Sequence, residues 1–390
     1  MQAVISPNSR LIDVVCRRLS ASSQGMDDRH VESSRTFDIA LVLFLSHYGE
    51  MFKRLLHYRH AVRFHHCTAI PLEHRALIQV HGTDTSKFLQ GLITNDIEFL
   101  KNTNAIYSML LNARGRILYD MIVYNHDPSK SSYLIEISRN AVTDVLRLLR
   151  TYKLRKQVQI EDVTSLYRVW SIISSENEFL SPTNDIKDGL QFNTRQGLIV
   201  GQSDPRHASL GIRLITQRDT ELASLTDVCH LSNDLSLYRQ WLYRHGVAEG
   251  TEDMPPGECI PLEYNIVYLN GVSFSKGCYI GQELVARTHH TGVIRKRLMP
   301  VHVDNHVELA KSFDPQVTKE LTIINEETKR RAGKLRSFIK DNGIALIRLS
   351  EWKNHLRIEN ADVRIRPSIP NWWPTLDEAT KLEMKIDTSH

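Results

Sequence analysis

Hydrophobic and polar positions alternate through the middle of the chain in a way that predicts short strands with helices between them. Residues 76–80 form an apolar strand pattern, and after Asp84 three apolar side chains fall on one face of a helix, namely Phe88, Leu89 and Leu92. Residues 105–111 and 117–124 have strand patterns and are separated by the turn-like segment 112–116. We therefore predict a strand, a helix and a hairpin in that order.

The first series continues with a strand pattern at 133–137 and a helix predicted over 140–152. A second series follows, with strand patterns at 167–173, 198–200 and 210–215 and a helix that ends near Gly246. Mixed strands with helices between them are typical of the α+β class. Short strands near 301, 321–324, 332–335 and 344–349 predict a small C-terminal β-barrel.

These patterns divide the chain into five segments. We predict an N-terminal extension (1–69), a first α+β lobe (70–160), a second α+β lobe (161–292), the barrel (293–356) and a tail (357–390). Residues 1–23 carry Arg10, Arg17 and Arg18 against one acid, Asp13, which is similar to a transit peptide. The alternative is a disordered or mis-joined N-terminal extension. The apolar run 39–45 is too short to span a bilayer, so no membrane span is predicted.

Composition limits the class of protein. At 390 residues and 44.9 kDa, two or three domains are expected. A net charge of +4 is too small for a dedicated nucleic-acid binder. The five cysteines are scattered, without a CxxC pair, which favours a reducing compartment and argues against a disulfide scaffold. Clusters of iron and sulfur usually need four protein ligands, so the chain is not expected to hold one alone.

Residues 276–283 are the densest concentration of chemical groups in the chain. Cys278 stands between Gly277 and Gly281, with Lys276 before it, and a helix is predicted from about Gln282. A neighbouring cation and a helix N-terminus both favour the thiolate, which is the form that acts as nucleophile or metal ligand. The alternative is an inert, buried cysteine.

Other candidates are weaker on spacing alone. Arg114 and Arg116 on the hairpin are either an anion site or two solvated charges, and Asp120 in an apolar strand either faces outward or holds a polar ligand. Glu263 either accepts hydrogen bonds from a heterocycle or caps a helix. The run 295–297 is interpreted as a basic rim near Cys278, and 204–206 as a structural turn. His289 and His290 are read as strand neighbours of which at most one faces Cys278.

The 276–283 segment resembles the signature of YgfZ-type proteins, which are relatives of the glycine-cleavage T protein, an aminomethyltransferase. The longer stretch 270–297 is similar to the mitochondrial branch of that family, whose members are assembly factors for iron–sulfur clusters. Further matches follow in the family's order, at 82–96, 112–116, 204–206, 255–257 and 261–263, so that the resemblance covers about residues 70–355.

The resemblance implies two related α+β lobes and a C-terminal barrel arranged as a ring around a folate-like pocket. It also implies a mitochondrial matrix protein that matures [4Fe–4S] clients together with A-type scaffold proteins. Cys278 would be the functional thiol and metal ligand, with Lys276 tuning it. Tetrahydrofolate or a related folate would contact four residues of the pocket, Arg114, Asp120, Glu263 and Arg287.

One departure from the family pattern matters for function. T proteins carry paired aspartates after their hairpin, whereas Tyr119 occupies the first position here and leaves only Asp120. We therefore expect no classical enzyme, and hypothesise that Cys278 supplies one ligand of a [2Fe–2S] cluster shared with a scaffold partner. The alternatives are a folate-dependent aminomethyl transferase, with Asp120 polarising the reacting nitrogen, and a non-catalytic folate-binding protein.

Overall fold

The computed structural model describes residues 67–174, 197–220, 229–312 and 321–374, and these contain two five-stranded sheets and one closed barrel. The transit-peptide interpretation concerns residues outside the described part. The helices are α1 (Thr85–Gln90), α2 (Val142–Lys153), α3 (Leu235–Arg244), α4 (Gly250–Asp253), α5 (Gln282–Thr291) and α6 (His306–Ser312). Among the described residues, no helix has the length and apolar character needed to cross a membrane.

The first sheet is antiparallel and has the strand order β3-β4-β5-β2-β6. Its strands are β2 (Arg75–His81), β3 (Ala105–Leu111), β4 (Ile117–Asp127), β5 (Ser132–Ser138) and β6 (Gln159–Asp162). Side chains alternate between the two faces, so that Ile78 and Val80 pack with α1 and α2 while Leu77 joins the central core. The predicted strands, hairpin and helices of this lobe are confirmed.

The second sheet includes the first strand of the described chain. It consists of β1 (Cys67–Pro71), β7 (Tyr167–Ser174), β8 (Leu198–Ser203), β9 (Ile212–Gln217) and β10 (His230–Leu231), in the order β10-β1-β7-β9-β8. Because β1 begins at Cys67, the predicted start of the fold at residue 70 is three residues late. Although β1 precedes the first lobe in sequence, it pairs with β7 of the second lobe and not with its sequence neighbour β2.

One apolar core joins the two sheets. Tyr107 and Tyr124 from the first sheet, Ile215 from the second and Tyr238 and Leu242 from α3 belong to the same buried cluster. The segment that follows α4 enters this core through Leu262, Tyr264 and Ile266. Residues 271–275, which lead into the Cys278 motif, contain no strand.

The C-terminal barrel is confirmed, but it ends later than predicted. Its strands are β11 (Lys296–Val303), β12 (Leu321–Asn325), β13 (Arg331–Ile339), β14 (Asn342–Arg348), β15 (Leu356–Ile358) and β16 (Arg364–Pro367), and β16 closes it by pairing with β11. The predicted end at 356 is therefore wrong, because β15 and β16 are too short to show an alternating pattern. Trp373, assigned to the tail, packs in the barrel core.

Candidate functional site

The turn that carries Cys278 alternates between buried and exposed residues. Lys276 and Tyr279 are buried, whereas Gly277 and Cys278 between them are exposed. Helix α5 begins at Gln282, as predicted, after Gly281 in a left-handed conformation (φ +81°). The thiol is therefore presented to solvent from a turn whose flanking side chains are held in the protein.

Lys276 holds this turn against the first lobe. Its ammonium group donates hydrogen bonds to the carbonyl oxygens of Ile93 (2.8 Å) and Asn95 (2.7 Å), and its Nζ lies 5.1 Å from the ring centroid of Tyr279. Burial lowers the pKa of Lys276 to about 8. These contacts fix the backbone beside the thiol. The predicted tuning of Cys278 by Lys276 stays a prediction.

The backbone of the motif also contacts the first lobe. The Ile280 N–H donates to the carbonyl oxygen of Gly91 (3.3 Å), and the Ser273 N–H donates to that of Thr94 (3.1 Å). The predicted boundaries assigned this stretch to the second lobe. The motif therefore packs on the first lobe, and no local pattern in the sequence indicates which partner a turn packs against.

The two histidines lie in helix α5 and not on a strand, which corrects their predicted geometry. Phe274 stacks on His289 with a centroid distance of 3.8 Å and an interplanar angle of 10°, and it meets His290 edge-on at 6.1 Å. Burial lowers the pKa of His289. The pair therefore covers Phe274, which precedes the motif.

The predicted basic rim divides into separate environments. Arg295 is exposed, but Lys296 pairs with Glu263 (3.2 Å), and Arg297 is buried with its guanidinium 4.4 Å from the ring centroid of Tyr268. The interpretation of 295–297 as one rim is therefore wrong. Strand alternation in β11 explains the division, because successive side chains point to opposite faces. Arg287, on α5, is exposed.

A buried ionic cluster links the two sheets to the helices α3 and α4. It contains three arginines and four carboxylates, namely Arg75, Arg206, Arg213, Asp120, Glu136, Asp204 and Glu249. All of them are less than a tenth exposed. The cluster confirms that 204–206 is structural.

Arg206 and Arg213 each contact more than one carboxylate of this cluster. The Arg206 Nε and Nη2 atoms donate to the two oxygens of Asp204 at 2.9 and 2.7 Å, and its Nη1 donates to Glu249 Oε2 at 2.8 Å. Arg213 donates to Glu136 (3.2 Å) and to Glu249 (3.1 Å). Burial disfavours the charge on Glu249, but Arg75, Arg206 and Arg213 outweigh it and hold the pKa of that carboxyl well below its usual range.

Asp120 belongs to this cluster, and its predicted role in polarising a substrate nitrogen stays a prediction. Its Oδ1 accepts from the Gly250 N–H (3.0 Å), its Oδ2 lies 3.5 Å from Arg75 Nη2, and the residue is 3% exposed. Burial raises the pKa of Asp120 against the opposing effect of Arg75. Both oxygens are therefore committed to protein groups.

Sequence reasoning missed Arg75, Glu136, Arg213 and Glu249. A usable signal existed for Glu136 and Arg213, since each is a charged residue in an otherwise apolar strand, as Asp120 is. Such a residue is buried only when it is paired. Glu249 lies outside any strand and carries no comparable signal.

Glu263 lines a cleft of about 340 Å³ between the hairpin, the 258–264 segment and the barrel. Six cationic side chains line it together with Glu258 and Glu263, namely Arg116, Lys296, Arg331, Lys334, Arg336 and Arg348. Arg116 also donates to the Glu258 carbonyl oxygen (3.0 Å), which fixes the hairpin to this wall. The cleft has the volume of a small-molecule site and an excess of positive charge.

The cleft of about 340 Å³ includes one of the four predicted folate residues. Glu263 lies in the cleft, Asp120 lies in the ionic cluster, and Arg114 and Arg287 are exposed side chains that are not part of the cleft wall. Folate binding itself stays a prediction.

The described cysteines differ in accessibility. Cys67 and Cys259 are buried, Cys229 is partly exposed and Cys278 is exposed, and none of these four described cysteines forms a disulfide. No group of three or more metal-ligating side chains occurs in the ranges that the structure covers.

Comparison with known proteins relates the chain to two families and to a set of close relatives. Residues 38–174 match the family described as the GCVT N-terminal domain, and residues 295–375 match the CAF17 C-terminal beta-barrel domain. The chain is similar in fold to the crystal structure of aminomethyltransferase T of the glycine cleavage system from Bartonella henselae. The TM-score is 0.58 at 15% identity, over 80% of this chain and 88% of that one. This likeness confirms the predicted α+β fold with a C-terminal barrel.

Three relatives carry the same name, iron–sulfur cluster assembly factor IBA57, mitochondrial, or a homolog of it. The chain is 36% identical to the protein from Mus musculus, over 79% of this chain and 86% of the relative. It is 37% identical to that from Homo sapiens, over 79% and 85%. The relative from Mycosarcoma maydis is 30% identical, over 77% and 83%.

Proposed function

The chain belongs to the IBA57 family of mitochondrial iron–sulfur cluster assembly factors, and from this premise we propose that Cys278 completes a cluster shared with a partner protein. The family and the mitochondrial location agree with the sequence prediction. In the proposal, an A-type scaffold in the mitochondrial matrix supplies the other ligands of a [2Fe–2S] unit. The product is a [4Fe–4S] client protein.

One observation carries this proposal: the motif thiol is exposed while the residues on both sides of it are held by the first lobe. A cluster is usually ligated by four protein groups, and this turn contributes one. A single exposed sulfur on a supported turn suits a site that two proteins complete together, because the partner approaches from solvent and the sulfur position is already set. The cluster is cargo, so a shared ligand must also release it.

The test is anaerobic cluster reconstitution with the protein, an A-type scaffold and an apo [4Fe–4S] client. We expect a complex of the two proteins with visible absorption from thiolate-ligated iron, followed by activation of the client. Cys278→Ser is expected to reduce that absorption and the client's activation at least tenfold. The matched control is Gly277→Ala, since an added Cβ at Gly277 meets no atom within 4 Å and the thiol is retained.

The control separates the role of the sulfur from that of the turn. Full activation of the client by folded Cys278→Ser would refute the proposal. Equal loss in Gly277→Ala and Cys278→Ser would assign the effect to the turn and refute the role of the thiol. Circular dichroism of each variant establishes that it is folded.

Folate binding is a second candidate, and the cleft around Glu263 favours it. A folate carries a heterocycle with hydrogen-bond donors and a carboxylate tail, which suits a cleft with two carboxylates and six cations. Aminomethyl transfer is not part of this candidate, because Asp120 does not line the cleft. Isothermal titration with tetrahydrofolate tests it, with Glu263→Gln expected to weaken binding about tenfold and Glu283→Gln, on exposed α5 surface, as the control. Absence of heat and of thermal stabilisation in the wild type would eliminate it.

A further inference from the structure

Cys67 is the first residue of β1, and Cys229 immediately precedes the neighbouring parallel strand β10 and packs against the buried cluster that contains Cys67. In the pairing of β1 with β10, Thr68 lies opposite His230 and Ala69 opposite Leu231, so the two cysteines occupy the preceding pair of positions. Their thiols are in hydrogen-bond contact. Opposite residues on adjacent strands are about 5 Å apart, which lies inside the Cα separation that a disulfide requires.

The two thiols differ in accessibility. Cys67 is 3% exposed and packs with Ala69, Trp170 and Ile172, whereas Cys229 is partly exposed and immediately precedes the edge strand β10. The hydrogen bond between them lowers the pKa of Cys67 despite its burial, and it raises the pKa of Cys229. The shared proton therefore stays on Cys229, and the thiolate forms more readily on Cys67.

We propose that Cys67 and Cys229 are a reversible disulfide site, closed by exchange with a low-molecular-weight disulfide of the glutathione class. This site involves neither Cys278 nor a cluster, and it goes beyond the proposed function. It also revises the expectation from sequence, which rejected a disulfide scaffold because the cysteines are scattered. The topology of the second sheet brings together two thiols that lie far apart along the chain.

The exchange takes place in two balanced steps. The Cys67 sulfur accepts the proton of Cys229, which lets the partly exposed Cys229 sulfur attack one sulfur of the small disulfide, form a mixed disulfide and release one small thiolate. That released thiolate takes the proton from Cys67. The thiolate of Cys67 then attacks the sulfur of Cys229 and expels the second small thiolate. Two electrons pass from the protein thiols to the small disulfide, and the two protons end on the released thiols.

The site has a mechanical consequence for the second sheet. Strand β10 pairs with β1 through only two residue pairs. A covalent bond at the next position closes a long loop of chain and restrains the unfolded state. We expect the oxidised protein to unfold at a temperature higher by on the order of 5 °C, with reversal by dithiothreitol.

The experiment uses the full chain and oxidised glutathione. The protein is incubated over a range of reduced-to-oxidised glutathione ratios, alkylated, digested and mapped by mass spectrometry. We expect a cross-linked peptide containing Cys67 and Cys229, with Cys278 carrying glutathione and forming no cross-link. Cys229→Ser abolishes the cross-link, and Cys259→Ser, a buried cysteine outside this pair, retains it.

Each result decides the proposal. Glutathione that stays on Cys229 of folded protein at every ratio, or a cross-link that joins either cysteine to another one, overturns it. If Cys229→Ser does not fold, the peptide map of the wild type decides alone. A cross-link without a shift in unfolding temperature supports the site and contradicts only its mechanical consequence.

Discussion

Gly281 of the cysteine motif lies directly against Gly115 at the tip of the β3–β4 hairpin. Both have positive φ, +81° and +74°. A Cβ on Gly281 would come within 2.5 Å of the Asn112 carbonyl oxygen, and one on Gly115 within 2.9 Å of the Gly281 carbonyl oxygen. Two backbone segments thus touch where side chains would separate them, and this contact places the start of α5 on the hairpin.

Gly281→Ala is predicted to destabilise the protein and displace the motif. The added methyl group meets backbone on the hairpin, and the positive φ is strained for alanine, so we expect a loss of about 2–4 kcal/mol in the free energy of unfolding. Urea denaturation measures it. Gly277→Ala, where a Cβ has open space, is the control and should change stability by about 0.5 kcal/mol or less. Equal stability of the two variants would contradict this account.

Lys276→Met is predicted to loosen the thiol-bearing turn. Methionine keeps most of the apolar stem but loses the hydrogen bonds to Ile93 and Asn95, at a cost of about 1–3 kcal/mol. Alkylation of Cys278 by iodoacetamide, followed over pH, tests the two roles of the lysine. A shift of the rate profile to higher pH in Lys276→Met that Lys276→Arg restores would support electrostatic tuning. An unchanged pH profile of Cys278 alkylation would show that Lys276 only holds the turn in place.

Glu249→Gln is predicted to be strongly destabilising. The carboxylate accepts from Arg206, Arg213 and Tyr238, and its neutralisation leaves buried guanidinium charge uncompensated. We expect a loss of about 3–5 kcal/mol, measured by chemical denaturation. Asp144→Asn removes one partner of the solvent-exposed pair with Arg147 and should cost less than about 1 kcal/mol. A loss of that smaller size for Glu249→Gln would show that the cluster contributes little.

Asp253 is predicted to make stability depend on pH. Its carboxyl accepts from the Tyr243 and Ser337 hydroxyls and the Glu249 N–H, yet burial raises its pKa from 3.8 to about 6. The folded state therefore binds this proton more tightly than the unfolded state. The stability that protonated Asp253 contributes is lost as pH rises from about 4 through 6. The rise in the pKa of Asp253 corresponds to about 3 kcal/mol in the free energy of unfolding.

Comparison with Asp253→Asn isolates that group from all others that titrate. Between pH 4 and pH 7 the difference in unfolding free energy should move in favour of the variant by up to about 3 kcal/mol. Urea titrations at several pH values provide the measurement. A constant difference across this range would show that Asp253 has no raised pKa in the folded protein.

Sequence patterns predicted the features that depend on interactions between residues close together in the chain. The apolar segments 105–111 and 117–124, joined by the turn-like segment 112–116, predicted the hairpin, and the glycines around Cys278 predicted the turn before α5. The pairing of Arg206 with Glu249 and the contact of Gly281 with Gly115 depend on which segments meet in three dimensions, and periodicity carries no such information. Asp120 shows this limit most clearly. Its charge in an apolar strand is evident from the sequence, whereas its pairing with Arg75 is not.

The position of β1 has a consequence for biosynthesis. This strand leaves the ribosome before the whole first lobe, but its partners β7 and β10 are translated only after that lobe is complete. Closing the second sheet therefore requires β1 to pair with strands that lie far along the chain. Contacts between residues that are distant in sequence form slowly. During that interval an unpaired strand edge is available to other chains, so newly made protein is exposed to aggregation at a stage when most of its first lobe can already be folded.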